Sequence, residues 1–266
     1  MAALQKITTT RKRIWHKWYI AFRIIPAIIA VGVLKFLANK YGYEVLELNA
    51  LFTSLVAGTI FLIGFLISGV LTDYKESEKL PSELSATLKN LYDDTFTIFK
   101  SKNSATASRF LEFQIAFTGS VIDWFYKKEK TAFILGKISG MNDFFAELDR
   151  EGIQPNYIIK MKNEQNNIRK ILLRVDTIRD TGFVGSAYAI VEAMGILIAI
   201  GLVIIKIEPF YASLFLTLLV NFLICYMFFL IKDLDNPFEY SVKGEHGNEI
   251  SLKPLRDLAV EINGPA

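Results

Sequence analysis

The sequence predicts an all-α polytopic membrane protein, with four transmembrane helices in two hairpins and a cytoplasmic helical bundle between them. Three observations predict it. The chain has 266 residues, 52% of them hydrophobic, and its mean hydropathy is +0.32. The apolar residues gather in four runs, each long enough to cross a hydrocarbon core, which takes about 20 residues of helix. The stretch between the second and third runs carries apolar residues three and four apart, the spacing of amphipathic helices.

Residues 1–17 form a basic segment with Lys6, Arg11, Lys12, Arg13 and Lys17. A basic start before an apolar run resembles a secretory signal, but the run is too long and lacks a small-residue cleavage site. It reads as an uncleaved anchor. Residues 18–71 hold runs one (Trp18 to Ala38) and two (Asn49 to Leu71). Only helices satisfy the backbone in lipid, so each run is a helix. Run two has no charged residue. Run one contains Arg23 and Lys35, each near an end, from which its charge can reach the nearer interface. Pro26 is tolerated near the start of such a helix.

Residues 72–182 form the cytoplasmic helical domain. A first helix follows Pro81 and carries Leu84, Leu88, Leu91 and Ile98. A second, roughly Ser104 to Lys127, carries Phe110, Phe113, Phe117, Val121 and Trp124. A third carries Ile134, Ile138, Met141, Phe145 and Leu148, and ends near Gly152 and Pro155. A fourth, roughly Asn156 to Asp180, aligns Met161, Ile168, Leu172, Val175 and Arg179. Such wide apolar stripes predict a bundle core, and Asp93 and Asp94 are placed on its solvated face. Runs two and three are expected to continue into this domain as helices, with Gly182 as the weak point. Residues 183–231 hold runs three (Phe183 to Ile205) and four (Phe210 to Ile231), and residues 232–266 a cytoplasmic C-terminal segment.

Lys and Arg near the span ends set the orientation. They crowd before run one. The loop to run two has Lys40 beside Glu44 and Glu47, and the loop between runs three and four is Lys206, Ile207, Glu208 and Pro209. Both termini are therefore cytoplasmic, in a plasma membrane or bacterial inner membrane. Trp15, Trp18 and Tyr19 belong to the inner interface, and Tyr41 and Tyr43 to the outer one.

Several functions are excluded or disfavoured. A net charge of +3 implies no general affinity for nucleic acid. Cys225 is the single cysteine, and His16 and His246 lie at opposite ends of the chain, so neither a disulfide nor a Cys/His metal site is expected. No phosphate-binding loop, nucleophile elbow, zinc-protease or dinucleotide motif occurs. No enzyme and no cofactor are expected.

Three segments resemble the bestrophin and bestrophin-like membrane proteins. The first runs from Phe61 to Thr72, then Tyr74 to Pro81. The second is Ile178 to Phe183, continuing to Tyr188. The third is Asp235-Asn236-Pro237-Phe238 followed by Glu249 to Leu255, similar to the N-P-F motif of that family and the segment that wraps its cytoplasmic domain. The order of elements also agrees. Departures are the missing aromatic-rich stretch after run two, where Asp73-Tyr74-Lys75-Glu76 stands, the missing prolines before Tyr188, and the missing acidic calcium clasp of animal members. After Phe238 come Glu239, Tyr240 and Lys243 instead. The resemblance therefore implies a divergent bacterial member without a basis for calcium control.

What it implies further is a homo-oligomeric ion channel, a homopentamer, with the lipid bilayer and permeant small ions as its other partners. Run two would line the pore, with Ala57, Phe61 and Phe65 at an apolar neck able to gate by dewetting. Glu44, Glu47 and Lys40 would stand at the outer mouth. Glu192, two to three turns into run three, is costly in a membrane. It is expected either to pair with Arg23 or to line a watery path. Asn221 in run four is expected to make an interhelical hydrogen bond. Two other classes share the layout: a stator-like, energy-coupling scaffold working with a single-span partner, and a non-conducting membrane sensor.

Overall fold

The computed structural model describes residues 2–181, 185–240 and 249–264, and of residues 2–17 the helical backbone alone. The side chains of Lys6, Arg11, Lys12, Arg13, Trp15, His16 and Lys17, and residues Gly182, Phe183, Lys243 and His246, lie outside the described residues. Helices are α1 (Ala2–Tyr41), α2 (Ala50–Ser77), α3 (Leu80–Lys102), α4 (Ala105–Phe125), α5 (Thr131–Arg150), α6 (Pro155–Asp180), α7 (Gly185–Ile204), α8 (Phe210–Asp235) and α9 (Lys253–Asn263). Four of them, α1, α2, α7 and α8, are long and apolar enough to cross a membrane. The chain divides into two compact units: Met1–Tyr74 with Gly182–Asp235, and Lys75–Thr181 with Asn236–Ala266.

The first unit contains the four apolar helices. Helix α1 ends in a Schellman motif: Gly42 is left-handed at φ 72°. The Tyr43 amide donates to Ala38 at 2.8 Å and the Gly42 amide to Asn39 at 3.2 Å, which satisfies the last carbonyls. Glycine fits because the left-handed region carries no penalty for it. Helix α2 starts at an Asn49 cap, whose Oδ1 accepts the Phe52 amide at 2.9 Å. It packs on α7 and α8 through Ile63, Leu66, Val70, Val191, Ile198, Leu202, Ile224 and Ile231.

One feature departs from the all-helical expectation. The α1–α2 loop and the α7–α8 loop each contribute a two-residue strand, β1 (Leu46–Glu47) and β2 (Ile205–Lys206), paired in parallel. Strands this short leave no periodic trace in the sequence.

The second unit is a helical bundle built on the stripes already named. Leu84, Leu88, Leu91 and Ile98 of α3, Phe110, Phe117, Val121 and Trp124 of α4, the five expected residues of α5, and Met161, Ile168, Leu172 and Val175 of α6 are all buried. Phe113 is half-buried. Asp94 corrects the expectation: it is 8% exposed and pairs with Lys160 at 2.7 Å, while Asp93 stays outside with Lys89. The stripe of α3 is wide enough that Asp94 falls at its edge and is drawn in with a partner.

Arg179 lies over the Trp124 ring and donates to the Phe125 carbonyl at 2.7 Å, closing the end of α4. Burial of the guanidinium pulls its pKa down, against the nearby charge of Asp176.

Phe238 is fully buried against Phe125, and Tyr240 donates to the Ile250 carbonyl at 2.7 Å. The Ile250 amide donates to Pro237. The residues after Asp235 thus belong to the same compact unit as the middle helices, and they include α9, an element beyond the sequence-based expectation. Leu255, Leu258 and Ile262 bury one face of α9.

Candidate functional site

Helix α2 has two faces of different character. One face is buried in the core just described. The opposite face is exposed: small, hydroxyl and aromatic residues, Ser54, Ala57, Gly58, Phe61, Gly64, Phe65, Ser68 and Thr72, run along its middle, flanked by the exposed Leu51, Thr53, Ile60 and Leu71. These positions recur three and four apart, so they form one stripe along the helix. Phe61 is 77% and Phe65 68% exposed. A side chain added at Gly58 or Gly64 would meet nothing within 4 Å.

The exposed faces of α1 and α8 differ, whereas that of α7 mixes Ser186, Ala189, Glu192 and Ala193 with isoleucines and a leucine. On α1 they show Phe22, Ile25, Ile29 and Val33, and on α8 Tyr211, Phe215, Leu219 and Leu223. Bulky apolar residues suit lipid. Alternating hydroxyls, glycines and alanine do not, and in membrane helices small residues mark surfaces that meet other protein or an aqueous path.

The intramembrane polar residues fall elsewhere than expected. Arg23 does not pair with Glu192. Its guanidinium stands 5.1 Å over the Phe229 ring of α8, a cation–π arrangement that suits an exposed arginine beside an aromatic residue. Glu192 is exposed on α7. Asn221 is buried, and its amide donates at 2.8 Å to the Thr217 carbonyl of its own helix. The bond between α7 and α8 comes one turn earlier, from Thr217 Oγ1 to the Leu202 carbonyl at 3.3 Å. A short amide side chain reaches the carbonyl four residues back more readily than a neighbouring helix.

Lys35 is the largest correction. It does not reach an interface: it is fully buried. Its ammonium pairs with Glu44 at 2.6 Å, donates to the Val203 carbonyl at 3.3 Å, and donates to the Ile205 carbonyl. Glu44 is therefore no free mouth charge. Its side chain is 8% exposed and also accepts from Asn39 Nδ2 at 2.7 Å. Burial alone would raise its carboxyl, but hydrogen bonds from Lys35 and Asn39 and the charges of Lys35 and Lys206 hold it below its ordinary value.

Lys40 lies 5.8 Å over the Tyr41 ring, and Glu47 is exposed. Asn39, Glu44, Lys206, Glu208 and Phe210 line an open recess of about 580 Å³. Sequence reasoning missed the Lys35–Glu44 pair. The available signal was a lysine three residues inside the end of run one and an acid six residues beyond it. Among the described residues, no group of three or more His, Cys, Asp or Glu side chains could hold a metal ion.

No protein-family model and no curated protein matches the sequence. Solved structures do match. A crystal structure of a bacterial bestrophin homolog from Klebsiella pneumoniae aligns at 15% identity with a TM-score of 0.74, covering 91% of this chain and 100% of that one. Another structure of that homolog, phased on zinc, aligns at 14% identity and a TM-score of 0.73, covering 93% of this chain and 99% of that one. A further membrane-protein crystal structure aligns at 15% identity and 0.76, covering 91% and 98%. At these identities the likeness is one of fold, and the chain is a divergent protein of bestrophin-like fold.

Proposed function

We propose that the chain is the subunit of a homo-oligomeric ion channel, a homopentamer, in which α2 of each copy faces a shared central passage. Ala57, Phe61 and Phe65 form the neck of that passage. The observation that carries the reading is the exposed stripe of α2, in which hydroxyls and glycines flank two phenylalanines on the side turned away from the subunit's own core. The likeness in fold to the bacterial bestrophin homologs supports it.

In this arrangement the four apolar helices cross a plasma membrane or bacterial inner membrane. The basic N-terminus, the middle helices and the C-terminal segment lie on the cytoplasmic side. Rings of phenylalanine narrow a water-filled path until ions would have to shed hydration to pass, so the neck closes by dewetting. Ser54 stands on one side of the neck, and Ser68 and Thr72 on the other, where hydroxyls can hydrate an ion. The Asn236-Pro237-Phe238 segment fastens the C-terminal residues to the cytoplasmic helices through Phe238.

The purified protein in liposomes should pass small ions, and the double variant Phe61→Ala/Phe65→Ala should pass them severalfold faster. Flux equal to that of the parent, or an imaged particle whose α2 helices do not surround an axis, overturns the assignment.

A further inference from the structure

We propose that Lys35 and Glu44 form a latch that holds the head of α2 in place, and that breaking it frees that helix end and changes ion passage. Only the last step rests on the channel reading. The latch itself is a property of the first unit.

The geometry is that of a closed site. Lys35 sits in α1 with no exposure, and its ammonium lies among three oxygens: it is ion-paired with the Glu44 carboxylate at 2.6 Å and donates to the carbonyls of Val203 and Ile205. These carbonyls lie at the C-terminal end of α7, where the helix dipole favours a cation. Glu44 is held from the other side by Asn39.

From Glu44 the chain runs directly into β1, which pairs with β2 at Leu46 and Ile205. It then reaches Asn49, which caps α2, and Phe52, whose ring rests on Gly201 of α7. One buried ammonium thus ties together the end of α1, the end of α7 and the loop that launches α2. The stripe bearing Ala57, Phe61 and Phe65 begins within the next turns of that helix.

Removing one member of such a pair leaves the other charge buried alone, which is strongly destabilising. Removing both replaces a charged pair by a neutral one of similar volume and is far better tolerated. Charged groups facing Glu44 are Lys35 from α1 and Lys206 from β2; Lys206 is itself engaged by Glu208 at 3.0 Å and lies near Glu47. Because the Glu44 carboxyl is held below its ordinary range, its contribution is present above that range. It is lost as pH falls through the depressed value, below the ordinary carboxylate range. The latch therefore stays shut at neutral and mildly acidic pH and opens only in strong acid.

The test uses the full chain in lipid nanodiscs and liposomes, comparing the parent, Glu44→Gln and Lys35→Met/Glu44→Gln. Three quantities are read: thermal midpoint, amide exchange over residues 45–53, and ion flux. In the double variant the midpoint should stay near that of the parent, exchange over 45–53 should rise about tenfold or more, and flux should change. The parent should show the same rise in exchange in strong acid, and Glu44→Gln should have no acid transition there.

Parental exchange over 45–53 in the double variant, or an unchanged acid transition in Glu44→Gln, overturns the latch. Faster exchange with parental flux overturns its coupling to conduction. If Phe61→Ala/Phe65→Ala is silent as well, it is the channel reading that has failed.

Discussion

Gly201→Ala should destabilise the protein although it replaces a helix-breaking residue with the best helix former. A β-carbon on Gly201 would land within the Phe52 ring, touching Cε2 and lying 2.9 Å from Cζ and 3.3 Å from Cδ2. With three ring atoms in the way, the whole ring must move rather than one atom at its tip. Overpacking of this kind costs about 1–3 kcal/mol, against a helix-propensity gain of up to about 1 kcal/mol. The net loss is about 1 kcal/mol, reaching about 2 kcal/mol if the ring cannot swing aside. For a chain of this length that corresponds to a fall of about 2–8 °C in thermal midpoint. Gly136→Ala on α5 is the control, since its added carbon meets open space and should leave the midpoint unchanged or raise it. Phe52→Leu/Gly201→Ala should recover most of the loss by shrinking the obstacle. The reasoning is refuted if Gly201→Ala melts at or above the parent, or if its deficit survives the smaller side chain at position 52.

Two further outcomes follow from single residues. Ser104 caps α4, with its Oγ accepting the Ala107 amide at 3.0 Å while donating to Glu151, so Ser104→Ala should cost about 1–2 kcal/mol in a thermal melt. Glu151 is held below its ordinary carboxyl range first by the Ser104 hydrogen bond and then by that from Thr106; its stabilisation is present above that range and lost as pH falls through the depressed value, and Ser104→Ala should shrink this acid-side loss. Glu192→Gln should change the pH dependence of conductance in planar bilayers, since Glu192 is an exposed acid on α7; current–pH curves that superpose on the parent's would refute it.

The middle helices were the most legible part of the sequence, for a reason internal to them. Leu84 to Ile98, Phe110 to Trp124, Ile134 to Leu148 and Met161 to Val175 repeat at helical spacing within one chain, and each stripe is buried by its neighbours. Periodicity reports burial directly there. In the apolar unit it cannot, because both faces of a membrane helix are apolar. Phe61 and Ile63 look alike in sequence, yet one is 77% and the other 4% exposed. The pairing of Arg23 with Glu192 was inferred from depth alone, whereas contact requires facing sides as well. Lys35 was assigned to an interface by the rule for long basic side chains. That rule assumes no partner within the protein, and Glu44 supplies one from a loop whose position no local pattern encodes. The last helix, α9, was missed because the residues before it carry no repeating stripe, and its own amphipathic run of Leu255, Leu258 and Ile262 is short.

Burial sorts the polar residues of the apolar helices into two sets that need different explanations. Lys35, Thr59, Thr217 and Asn221 are buried with a partner each, whereas the buried Ser213 Oγ has none among the described residues. Thr59 answers to the Leu55 carbonyl, Thr217 to Leu202 and Asn221 to Thr217. This is the cost-limiting arrangement for polar groups away from water, and it calls for no function beyond cohesion. The second set is exposed, and on α2 it comprises Thr53, Ser54, Ser68 and Thr72, on the same face as Gly58 and Gly64. Hydroxyls and bare backbone turned toward lipid would forgo the apolar contacts that α1 and α8 make on their outer faces. The stripe makes physical sense where it meets other copies of itself and a column of water. In the proposed channel Phe61 and Phe65 are the bulkiest side chains at the middle of that face, 77% and 68% exposed, which is why the neck is placed there.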